Sequence, residues 1–261
     1  MPSVKDLLVQ RGEELLHAPP RRIAYTGNAD ADDLLNDLEH HPHAFVLACV
    51  MDRQIKAELA WLIPHRFAEK LGDFEFSTLR ALTLDDVRGL MTKPTPLHRF
   101  TEKMSVNFYE AVQRIATVYG GDASRIWSDK PPCYEVVARF RQFHGVGPKI
   151  AAMAALILVR EFKVPLSDYA GLPIAADVHV RRVFHRLGLC RENADPDEVV
   201  DRARSLHPEF PGILDTGAWE IGRTWCRPRT PRCGECFMHE ICPTAVRAML
   251  ARDNPVADQI L

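Results

Sequence analysis

Four of the seven cysteines, Cys226, Cys233, Cys236 and Cys242, fall in one stretch at intervals of six, two and five residues. Thiolates so close in sequence can converge on one soft metal centre, and both zinc and iron–sulfur clusters take such ligands. Zinc sites usually draw their ligands as two separated pairs, whereas a single C-x-x-C occurs here, so the spacing favours a cluster. Upstream, Phe143-His144-Gly145-Val146-Gly147-Pro148-Lys149 joins two apolar-faced segments through a glycine-rich turn. Gly145 and Gly147 permit backbone conformations closed to other residues, and Pro148 suits the first position of a helix. The unpaired N–H groups of that helix start, with those of Gly145, Val146 and Gly147, can hold a phosphate without a charged side chain. Lys149 lies in the first turn, where the positive end of the helix dipole disfavours its ammonium form. A neutral amine is what Schiff-base chemistry requires. Further along, Asp177 stands at the predicted N-cap of a helix opening Val178-His179-Val180, and aspartate is a favoured cap.

These residues need elements to position them, and the elements read as helices. With 261 residues, 46% of them hydrophobic, the chain can bury a sizeable core in one large or two modest domains without disulfide staples. Apolar spacing predicts helices over 3–17, 30–39, 43–61, 64–71, 77–81, 84–90, 98–118, 133–143, 148–161, 178–187, 196–205 and 210–224. No alternating strand pattern appears, so the expected fold class is all-α. The longest apolar run, Ile150 to Val159, has ten residues, half of the roughly 20 that a membrane-spanning helix needs. The opening MPSVKDLLVQRGEELL resembles no export signal, and a reducing, cytoplasmic setting without disulfides is expected. Net charge is −2, which excludes a generally basic nucleic-acid sponge. Acidic residues gather early, as Asp30, Asp32, Asp33, Asp37 and Glu39. The late arginines Arg181, Arg182, Arg186, Arg223, Arg227, Arg229 and Arg232 could form a local phosphate-binding face or merely solvated helix faces.

The C-x6-C-x2-C-x5-C loop resembles the C-terminal cluster loop of the endonuclease III family of helix-hairpin-helix DNA glycosylases. The Gly145-Val146-Gly147-Pro148-Lys149 segment resembles that family's hairpin, and the stretch around Asp177 its aspartate motif. The resemblance runs from about His43 through the cysteine loop. It implies a six-helix barrel over 43–165 and a discontinuous second helical domain from 1–42 and 166–261, the two flanking a DNA-binding cleft. The implied cofactor is a 4Fe-4S cluster held by Cys226, Cys233, Cys236 and Cys242. The implied activity is base-excision repair: a monomer extrudes a damaged, oxidised base from duplex DNA, Lys149 forms a Schiff base with the sugar, and AP lyase cleavage follows. Asp177 would assist base departure. Gly145, Val146, Gly147, His179, Arg227, Arg229 and Arg232 would contact DNA, although the three loop arginines could equally balance an anionic cluster. Two other classes stay open: a monofunctional glycosylase with water as nucleophile, and a non-catalytic DNA-binding module. Such an enzyme would associate with the nucleoid when bound to DNA. The chain departs from the family pattern in two places. Residues 162–175 are longer than usual and could shape a base pocket. Around Met51, Arg53 and Gln54, no single residue stands out to fill the gap left by a flipped base, while Leu97 could wedge into the stack or cap the core.

Overall fold

The computed structural model describes the backbone of residues 2–253 and the side chains of 2–250; among these residues every regular element is helical. None of the helices is long and apolar enough to cross a membrane. In chain order they are α1 (Val4–His17), α2 (Ala29–Asn36), α3 (Pro42–Met51), α4 (Ala57–Trp61), α5 (Ile63–Leu71), α6 (Phe76–Ala81) and α7 (Leu84–Thr92). There follow α8 (Thr101–Val118), α9 (Cys133–Arg141), α10 (Pro148–Arg160), α11 (Val178–Arg186), α12 (Pro196–Leu206), α13 (Gly212–Thr224) and α14 (Pro243–Asp253). Short 3-10 turns lie at Ala123–Ile126 and Cys233–Glu235.

The chain divides into two units, Pro20–Asp168 and the segments on either side of it. The boundary anticipated at 43 therefore falls at 20, and residues 20–42 belong to the central unit. The reason is packing that a short segment does not advertise in sequence. Tyr25 stacks on Trp61 with ring centroids 4.5 Å apart. Ala31 and Leu35 are buried, and buried Asp32 accepts from the Thr26 N–H and hydroxyl, both at 2.8 Å.

At the centre of this unit, α3 is buried along its whole length and is covered by α2, α4, α5, α8 and α10. The Phe45 ring meets the edges or tilted faces of Trp61, Trp127, Phe140 and Phe162, arrangements worth about 0.5–1.5 kcal/mol each beyond area burial. The single helix anticipated over 43–61 is two helices. Backbone hydrogen bonding leaves the helical pattern at Asp52, whose N–H bonds to the Cys49 carbonyl, and Gln54 adopts φ +54 before α4 restarts.

In the other unit, α1 packs on α13, and α11 packs on α13 and α12. Leu8, Val180, Val183, Phe184, Leu214 and Ile221 form the middle of its core. Helix α1 approaches α13 closely because Gly12 has no side chain: a Cβ there would lie 2.3 Å from the Ile213 carbonyl oxygen. Since that obstacle is backbone, the helices must separate to admit even a methyl group. Gly12→Ala is accordingly expected to destabilise the fold by about 1–3 kcal/mol, measured by urea unfolding; an unchanged midpoint would show that this contact is not tight in solution.

Candidate active site and cluster loop

The hairpin is α9, a turn, and α10. Helix α9 ends as Phe143 and Val146 turn their side chains inward, 2% and 6% exposed, and the Val146 N–H closes the turn on the Phe143 carbonyl at 3.0 Å. Val146, grouped with the DNA-contacting residues, thus has its side chain buried and its N–H engaged within the turn. The two glycines differ. Gly145 adopts φ +87, where side chains are disfavoured. Gly147, expected to need the same freedom, has an ordinary φ of −88 as the N-cap of α10, and a Cβ on it would meet nothing within 4 Å. Pro148 begins α10 as anticipated. The first N–H groups of this helix have no intrahelical acceptor.

Two side chains not singled out for this purpose stand behind the turn. Arg53 Nη1 donates to the Gly145 carbonyl at 2.7 Å. Asn107, on α8 and fully buried, lies with its amide nitrogen 2.4 Å from where a Gly145 Cβ would be, and its Oδ1 has no hydrogen-bond partner. An orphaned buried acceptor costs about 1–3 kcal/mol. Only the pairing of Arg53 with a distant glycine in space, invisible along the chain, could have pointed to these residues. Arg53 is thus engaged within the protein, and Met51 is buried in α3. Of the three residues considered for the gap, Gln54 alone is exposed. Leu97 is 7% exposed and caps the core, and Phe100 is the exposed apolar side chain of its loop.

Lys149 occupies the second position of α10 and its side chain is exposed. Asp177 is the N-cap of α11: its Oδ1 accepts from the His179 and Val180 N–H groups, both at 2.8 Å. No hydrogen bond engages Oδ2 among the described residues. His179 is half-buried and packs against Gly222 of α13. Its Cβ would lie 2.8 Å from a Cβ on Gly222, and Arg182 Nη2 approaches its Nδ1 at 3.1 Å. The long loop after α10 is anchored near both ends: the Ser167 N–H donates to the Pro131 carbonyl, Leu172 is buried, and Ile174 joins the core of the other unit.

Two of the late arginines, Arg182 and Arg186, serve the cysteine loop from within. Arg182 Nε donates to the Cys226 carbonyl at 2.8 Å. Arg186 Nη1 donates to Cys226 Sγ at 3.3 Å and to the Arg227 carbonyl, and Nη2 to the Pro228 carbonyl. Arg181 donates to the Ala194 carbonyl. Arg232, expected to face DNA, donates to the Thr224 carbonyl and pairs with Glu235 at 3.0 Å, which diminishes its availability for phosphate. Arg227 and Arg229 are exposed, with no ion pair among the described residues.

All four cysteines of the loop line one small pocket, partly open to solvent, walled by Val183, Leu187 and Trp225. Yet among the described residues no three His, Cys, Asp or Glu side chains gather closely enough to hold one ion. Four thiols lining one shared space suit an iron–sulfur cluster. Burial, with the neighbouring thiols adding to it, pushes Cys236 up to about 11, so bound metal must draw this thiol to its thiolate form.

The fold and these two features define a class: an all-helical protein with a glycine-turned hairpin presenting a lysine and a four-thiol loop. Residues 47–209 match the HhH-GPD superfamily of base excision DNA repair proteins, and residues 226–242 match the iron–sulfur binding domain of endonuclease III. The chain belongs to the HhH-GPD superfamily, and a 4Fe-4S cluster is its cofactor. Endonuclease III of Thermotoga maritima is 34% identical over 99 residues, covering 38% of this chain and 41% of that protein. The aligned stretch thus spans about two fifths of the relative. In fold, a trapped endonuclease III–DNA covalent intermediate covers 95% of this chain, which covers all of it, at 20% identity and a TM-score of 0.58. A thermostable thymine-DNA glycosylase gives 93% and 97% coverage, 15% identity and a TM-score of 0.59.

Two outcomes test this geometry. Asp177→Asn keeps an acceptor at the cap and should leave the unfolding midpoint near that of the parent, whereas Asp177→Ala should lose about 1 kcal/mol; equal losses would contradict the cap. Cys236→Ser should lower the iron and sulfide content of the purified protein and bleach its visible absorption, while a full iron complement in that variant would remove Cys236 from the ligand set.

Proposed function

We propose that the chain is a bifunctional DNA glycosylase and AP lyase that removes an oxidised base from damaged duplex DNA, acting as a monomer on nucleoid DNA in the cytoplasm. One observation carries this reading: an exposed amine, Lys149, stands one residue inside a helix whose N-cap opens onto unfilled space. Backbone N–H groups at that helix start suit a phosphate, which would hold the strand beside the amine. The target nucleotide must leave the stack to be reached.

The Lys149 Nζ lone pair attacks C1′ as the glycosidic bond breaks, and the bond's electron pair departs with the base, which takes up a proton. Positive charge develops on the sugar at that moment. Asp177, in the other unit, has a carboxylate oxygen not engaged at the helix cap that would supply a compensating negative charge. The adduct loses a proton from nitrogen and opens to an imine, the ring oxygen gaining a proton. Removal of a C2′ proton then expels the 3′ phosphate and nicks the strand, and water releases the lysine. Cys226, Cys233, Cys236 and Cys242 would hold the 4Fe-4S cluster, which when bound supplies structural cross-linking of the loop. The exposed Arg227 and Arg229 on that loop suit phosphate contacts that position without reading sequence.

Borohydride should trap a covalent complex between the protein and a lesion-bearing duplex, and Lys149→Gln should give none. Asp177→Asn should slow base release about a hundredfold or more. Base release by the parent without any trapped adduct would instead assign the attack to water. A panel of oxidised pyrimidines, 8-oxoguanine, uracil and mispaired adenine identifies the base, and activity confined to the undamaged mispair would overturn the oxidised-base assignment.

A further inference from the structure

The phosphate site just described is a backbone site, so its quality depends on whatever holds the turn in shape. Three observations converge on one side chain. Arg53, from the loop between α3 and α4, reaches across to donate Nη1 to the Gly145 carbonyl at 2.7 Å. Gly145 has φ +87, and a Cβ there would meet both Asn107 Nδ2 and Arg53 Nη1, at 2.4 and 2.7 Å. The turn is therefore left-handed and pressed against a guanidinium and a buried amide. Asn107 keeps an unsatisfied buried oxygen beneath it, so this corner is not arranged for stability alone. The Arg53 carbonyl in turn accepts from His98 Nε2 at 3.2 Å, and the buried His98 accepts from the Phe100 N–H through Nδ1. Arg53 therefore ties the hairpin to two loops that carry exposed side chains, Gln54 and Phe100.

We propose that Arg53 is a positioning residue for DNA binding: its guanidinium holds the Gly145 carbonyl, and through the same peptide plane keeps the Val146 N–H on the Phe143 carbonyl, which closes the turn and sets where the N–H groups beyond it, from Gly147 on, point towards a phosphate. The peptide plane explains the coupling. A carbonyl held on one side fixes the direction of the next N–H on the other, because the six atoms between consecutive α-carbons rotate together. Arg53 acts here through the Gly145 carbonyl and not by contact with the phosphate. Removing it leaves the hairpin formed but allows the plane after Gly145 to swing. This inference rests on the proposed hairpin site, and the test separates the two.

Binding of a duplex carrying a tetrahydrofuran abasic analogue is measured by anisotropy across a salt series for the full chain and for Arg53→Met, Arg53→Lys, Gly147→Ala and the Arg53→Met/Gly147→Ala double variant. Arg53→Met should bind about tenfold more weakly, the loss of one charge-assisted hydrogen bond, with an unchanged salt slope, because no phosphate contact has been deleted. Arg53→Lys restores a single donor and should recover part of the affinity. Gly147→Ala, whose methyl group enters the space assigned to the phosphate, should also weaken binding. The double variant should be no weaker than the worse single one, since both act through the same turn. A salt slope reduced by about one in Arg53→Met would make Arg53 a phosphate contact, and additive losses would make it independent of the hairpin; either overturns the proposal. Unchanged affinity in Gly147→Ala overturns the hairpin reading and this inference with it. Weakened Gly147→Ala beside unaffected Arg53→Met overturns this inference alone. Should Arg53→Met fail to fold, Arg53→Lys carries the same comparison, and backbone amide exchange at residues 145–147 must rise in it without a change in the unfolding midpoint; unaltered exchange overturns the proposal.

Discussion

The constraint on which the hairpin depends is that α10 must be buried nearly all round. From Ile150 to Val159 only Met153 is more than slightly exposed. A helix apolar on every side cannot present chemistry from its flank, so its polar groups are confined to its ends. At the N-terminal end the unpaired N–H groups, the glycine turn and Lys149 share one small region of surface. Burial of nine of these ten residues thus decides where Lys149 stands, with its backbone fixed in the first turn and its side chain exposed.

The cysteine loop obeys a different logic, because it has almost no regular structure to lean on. Its single 3-10 turn covers three residues, so the carbonyls of the loop need donors from elsewhere. Helix α11 supplies them: Arg182 and Arg186, one helical turn apart, reach the carbonyls of Cys226, Arg227 and Pro228 and the Cys226 sulfur. Guanidinium groups suit this task because they offer several donors in a fixed plane and keep their charge. Their charge also faces the thiols that must become thiolates. The same α11 begins at Asp177, so the cap that orients the carboxylate and the arginines that orient the first cysteine are parts of one rigid element.

Much of this was legible from the chain, and the exceptions share a cause. Long helices with a one-sided apolar stripe, such as α8 and α11, stand close to their anticipated limits, as does the helix start at Pro148. Helix α3 was misjudged in length because its apolar run continues in register towards Trp61, while the interruption at Asp52 to Lys56 comes from a left-handed Gln54 that no periodicity encodes. Helix α14 was absent from the anticipated set; only Ala245 among its described side chains is buried, so it shows no strong stripe. The arginines misled for a related reason. A run of cations reads as a solvated or phosphate-facing surface, and only the three-dimensional proximity of unpaired loop carbonyls reveals that several of them point inward.

The glycines make the distinction between internal and external demands concrete. At Gly12 and Gly222 a Cβ would collide with a neighbouring helix, and at Gly145 the backbone itself is left-handed. Each of these is required by the protein's own packing or conformation. Gly147 is required by neither: its φ is ordinary and the space before it is open. A residue with helix-capping ability but a side chain, such as serine or aspartate, would serve the folded protein at least as well there. The absence of a side chain at this N-cap therefore answers no demand of the protein's own packing or backbone conformation, unlike that at Gly12, Gly145 and Gly222.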